Sequence, residues 1–130
     1  MDDNIQYLNT DLELVSTTDL TPLAMALEAQ GLMILNQGEY DDSHYVDFET
    51  DDGYPDPETN IAAMVAVIEA LAPELQNLWK GCSRRRFDIG YRVPAEAGDG
   101  FHQELSAELL SRLAAVGASV RLTIYPPQFG

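Results

Sequence analysis

Basic residues are missing from most of this chain: no Lys or Arg occurs before Lys80. Residues 1–79 hold 17 acids and no base, and residues 80–130 hold 5 acids and 7 bases, for a net charge of −15. A surface this negative repels phosphate, so neither nucleic acid nor an anionic membrane is an expected partner. Cysteine is scarce too. Cys82 stands alone, which excludes an intramolecular disulfide and fits a reducing, cytoplasmic compartment. The N-terminus has neither a basic stretch nor an apolar one, so no signal peptide is expected. Long hydrophobic runs are also absent. The longest, residues 61–71, is broken by Glu69 and is about half of the ~20 residues that a membrane helix needs.

What is present suffices for a folded domain. The apolar fraction is 45% over 130 residues, enough for one core without staples. Residues 11–16 alternate apolar and charged, the period of a half-buried strand that starts as early as Ile5. Thr21 with Pro22 opens a helix that ends at Gly31. A short buried strand follows over residues 32–35, and Asn36-Gln37-Gly38 is expected to turn the chain. Tyr45 to Thr50 alternates again. Two prolines and a glycine make residues 51–57 a loop, and Thr59 or Asn60 is the expected cap of a second helix. Pro73 interrupts that helix. Residues 84–92 form a strand, 94–100 a loop, Leu105 to Val116 a third helix, and 119–125 a last strand stopped by Pro126-Pro127.

The order is β-α-β-β-α-β-α-β. Its first six elements resemble a ferredoxin-like split βαβ core, to which an αβ unit is added. The expected fold is thus a single α/β (α+β) domain over residues 1–130, with a mixed sheet and helices on one face.

Three segments are candidates for chemistry. Residues 39–58 contain nine acids and four aromatics. Acids guide encounter with a cationic partner and aromatic anchors supply much of the binding energy. Glu39, Tyr40, Asp41, Asp42, Tyr45, Asp47, Glu49, Asp51, Asp52 and Tyr54 are therefore the expected partner-binding residues. The bland alternative is a solvated acidic hairpin. A calcium loop fails on spacing, because a loop with Gly53 in sixth place begins at Phe48 and ends at Thr59. No metal or cofactor is expected. The second segment is Cys82 to Arg86: a thiol among guanidiniums gains nucleophilicity, and Arg84, Arg86 and Arg92 share one strand face as an alternative anion site. No catalytic signature accompanies them. The third, Gly98 to Glu104, has glycines before a helix but no phosphate-loop lysine, and Phe101 is expected to staple the helix that follows.

The leading expectation is a non-enzymatic acidic module of inhibitor or immunity type that neutralises a basic protein such as a toxin or nuclease. An anion-binding domain or enzyme on the arginine face is the alternative. A structural homodimer is a third, motivated by a second helix in which only Glu69 is polar between Ile61 and Ala72.

Overall fold

The structure is a computed structural model that describes residues 5–50, 53–94 and 100–127. Five strands form one mixed sheet: β1 (Gln6–Ser16), β2 (Leu32–Tyr40), β3 (Ser43–Thr50), β4 (Arg84–Arg92) and β5 (Ser119–Tyr125). Their spatial order is β2-β3-β1-β4-β5. All neighbouring pairs are antiparallel except β4 and β5. The helices are α1 (Thr21–Ala29), α2 (Pro57–Glu69), α3 (Pro73–Lys80) and α4 (Ala107–Ala115).

Alternation in the strands decides which face is covered. Leu12 and Leu14 of β1, Val46 and Phe48 of β3, and Phe87, Ile89 and Tyr91 of β4 are buried in one cluster with Leu23, Ile61, Met64, Trp79 and Leu113 from the four helices. Trp79 donates its indole N–H to the Val116 carbonyl at 2.8 Å, tying α3 to the end of α4. The nearly uninterrupted apolarity of α2 is spent largely inside this core, where Ile61, Met64, Val65 and Ile68 are fully buried.

Several boundaries differ from the sequence expectation. Asn36-Gln37-Gly38 does not turn the chain; β2 runs through it to Tyr40, with a bulge at Leu35. The turn lies at Asp41 and Asp42, both left-handed, with φ of 52° and 63°. Gly38 leaves room for the Tyr45 ring, which lies across it: a Cβ there would sit 2.8 Å from the Tyr45 hydroxyl oxygen, so the ring would have to shift. The cap of α2 is Asp56, which accepts from the Thr59 N–H at 2.8 Å, with Pro57 opening the helix. Asn60 is instead buried, accepting from the Thr50 hydroxyl and donating to the Tyr7 hydroxyl. At α1 the N-cap position falls on Leu20, and the Asp19 carboxylate accepts from both the N–H and the hydroxyl of Thr21. Phe101 packs edge-on against Tyr91 of β4, with ring centroids 4.6 Å apart, and Ser106 caps α4. Most of the loop expected over residues 94–100 lies outside the described residues, Gly98 and Asp99 included.

Candidate functional site

The face of the sheet opposite the helices carries the polar half of every alternating strand. The register places Glu13 of β1 directly between Asp47 of β3 and Arg86 of β4, and Asp11 directly opposite Asp88 of β4. Glu49 joins them through Asn9, whose amide nitrogen donates to Glu49 Oε2 at 2.5 Å and to Asp11 Oδ1 at 3.2 Å. Carboxylates from three adjacent strands therefore converge on one open surface.

Two arginines bind into this array. Arg86 donates to Glu13 at 2.6 Å. Arg121 of β5 bonds Asp88 through Nε at 3.1 Å and reaches Glu13 at 3.4 Å. Thr123 adds a hydroxyl donor to Asp88 at 2.6 Å. These donors serve Glu13 and Asp88 and leave the carboxylates nearer β3 less well compensated. Burial, then repulsion from Glu49, Asp88, Glu13 and Asp47, pushes the Asp11 carboxyl up to about 6. Burial and the neighbouring Glu13 also raise Asp47, against the opposing effects of Asn36, Arg84 and Arg86.

The residues expected to bind a partner divide, where they are described, into three groups. Tyr45, Asp47 and Glu49 of β3 lie on this open face, partly buried, with the Tyr45 ring held against Gly38. Glu39, Tyr40, Asp41 and Asp42 form the exposed hairpin tip beyond it, where Tyr40 is 79% exposed. Tyr54 is partly buried and lines a cleft of about 420 Å³ with Tyr7, Asn9, Glu49 and Asn60. Asp51 and Asp52 lie outside the described residues. Sequence reasoning missed Asp11, Glu13, Asp88 and Arg121. The signal was there in the odd positions of residues 11–15, which alternate as those of β3 do.

Arg84, Arg86 and Arg92 also share the open face, but they do not converge. Arg92 is six residues beyond Arg86, roughly 20 Å along a strand, and Arg86 is paired with Glu13. The neighbouring Arg85 caps backbone carbonyls of Trp79, Lys80 and Gly117. Burial pushes the Cys82 thiol up to about 11 despite the charge of Arg85, so it stays protonated at neutral pH and is a poor nucleophile. Among the described residues no three His, Cys, Asp or Glu side chains are placed to hold a metal ion, and no helix is long and apolar enough to cross a membrane. No protein family, curated protein or solved structure matches the chain.

Proposed function

We propose that this chain is an acidic binding module, of inhibitor or immunity type, whose open sheet face and acidic hairpin tip engage a basic protein such as a toxin or nuclease. The observation that carries this reading is the placing of like charges directly across the sheet. Glu13 faces Asp47 and Asp11 faces Asp88, an arrangement that weakens a sheet and that a cationic partner relieves. The carboxylates steer encounter, and the exposed Tyr40 is the natural anchor at the tip. The antiparallel order β4-β1-β3-β2 supports the ferredoxin-like description, with α4 and β5 as the added unit. A lone, buried thiol suits a reducing, cytoplasmic setting.

Pull-down from cells with the wild-type chain and with a Glu13→Gln/Asp47→Asn/Glu49→Gln variant tests the reading. A basic protein should be held by the wild type and lost by the variant. Its affinity should fall at least about tenfold as salt rises from low to above-physiological strength, chiefly through the on-rate. Equal retention by the variant, or affinity indifferent to salt, overturns the proposal.

A further inference from the structure

The two edges of the sheet are built differently. At β2 the edge is blunted: Leu35 bulges and Glu39 places a charge near the tip. Both are devices that discourage strand addition. At the other edge β5 runs in continuous register with β4, has no proline or bulge between Ser119 and Tyr125, and has one charged side chain, Arg121. That charge is held on the open face by Asp88.

The backbone of β5 has a defined outward set. Tyr125 accepts from the Val93 N–H on the β4 side. In a strand the hydrogen-bonding direction alternates with each residue, so Thr123 and Arg121 also point to β4, and Ile124, Leu122 and Val120 point away from it. Among the described residues no strand pairs with that side. The side chains of the outward set lie on the helix face, in line with Tyr91, Ile89 and Phe87. Unlike those buried residues, Leu122 and Ile124 are 49% and 50% exposed. The reason is the position of α4. Arg112 on one side of it pairs with Glu69 of α2, so that side of the helix faces α2. Leu110, two residues earlier and so on roughly the opposite side of the helix, is left 49% exposed at the β5 margin.

We propose that β5 pairs antiparallel with β5 of a second copy of this chain, about a two-fold axis through Leu122, to give a dimer with one continuous sheet. The segment is self-complementary in that register. Leu122 faces its counterpart and Val120 faces Ile124, so the outward N–H and C=O groups of all three residues find partners. Their side chains, with Leu110 from each copy, close an apolar strip. On the open face Arg121 meets Thr123 rather than another arginine. Charge selects the same margin: two copies each carrying −15 repel, and the C-terminal part of the chain, which supplies β4, α4 and β5, is where bases outnumber acids. Closure by a two-fold axis, with β2 blunted, also stops growth at two copies.

Sedimentation of the wild-type chain, Leu122→Lys and Ile124→Pro, combined with amide hydrogen exchange, tests the dimer. Ile124→Pro removes an outward N–H and leaves the inward pairing to β4 intact. The wild type should be dimeric at micromolar concentration and tighten as salt screens the repulsion, opposite to the salt response of the basic-partner complex. Each variant should weaken the dimer by about a hundredfold or more. The Leu122 and Ile124 amides should gain protection as protein concentration rises, while those of Arg121 and Thr123 are protected throughout. A wild type that stays monomeric in high salt, variants that dimerise as well as it does, or Leu122 protection independent of concentration overturns the proposal.

Discussion

Asp11 is the residue at which the cost of the open face is concentrated. Its carboxyl is raised from 3.8 to about 6 by burial and by four neighbouring acids. Between those two values the folded chain holds a proton that the unfolded chain has released, so stability rises as pH falls through that window and declines as pH climbs back through about 6. Removing the charge should reproduce this at neutral pH. Asp11→Asn is expected to stabilise the protein at pH 7 by about 1 kcal/mol, allowing for the solvent screening of a half-buried group. It should also flatten the dependence of melting temperature on pH between neutrality and mild acid. Thermal melts across that range check both; an Asn variant less stable than wild type at pH 7 would mean that the ionised carboxylate is favourable where it sits. Cys82 makes the complementary point. A sequence places it next to three arginines, but its sulfur lies 3.5 Å from the Leu78 carbonyl oxygen in a buried position, where desolvation outweighs the nearest guanidinium.

At the scale of elements, the β2–β3 hairpin is the acidic feature that protrudes. Its two turn residues have the left-handed conformation that Asn-Gly adopts with least strain, yet both are aspartates. Asp41→Asn/Asp42→Gly should raise the melting temperature, by about 1 kcal/mol of stability, and should weaken binding to a basic partner through loss of charge at the tip. Stability without a change in binding would place the contact elsewhere on the face. The hairpin also shows what could be read from sequence. Strands β4 and β5 have the boundaries expected from the sequence, because apolar and polar residues alternate from Arg86 to Arg92 and from Ser119 to Ile124. The end of β2 did not, because Asn36-Gln37-Gly38 has the composition of a turn, and it is a strand through its pairing with Tyr45, Val46 and Asp47 of β3. The open face was legible strand by strand, whereas the meeting of Asp11 with Asp88 depends on a pairing across more than seventy residues that no local pattern encodes.

Across the whole molecule, net repulsion opposes folding. A charge of −15 on 130 residues makes added salt stabilising overall, even though it weakens individual pairs such as Arg112 with Glu69. The melting temperature should therefore increase by a few degrees, roughly 1 kcal/mol of stability, between low and about 0.5 M sodium chloride. A decrease would show that the attractive pairs outweigh the diffuse repulsion.

The central position of β1 carries a further consequence, for synthesis. It pairs with β3 about thirty residues later and with β4 more than seventy residues later. At roughly 5–20 residues per second, a ribosome takes several seconds to make the strand that completes the middle of the sheet. Throughout that time Leu12 and Leu14 wait half-partnered in a nascent chain that has no base before Lys80. Acids interleaved with those leucines keep neighbouring nascent chains apart, and the arginines that neutralise the array, Arg86 and Arg121, arrive only with β4 and β5.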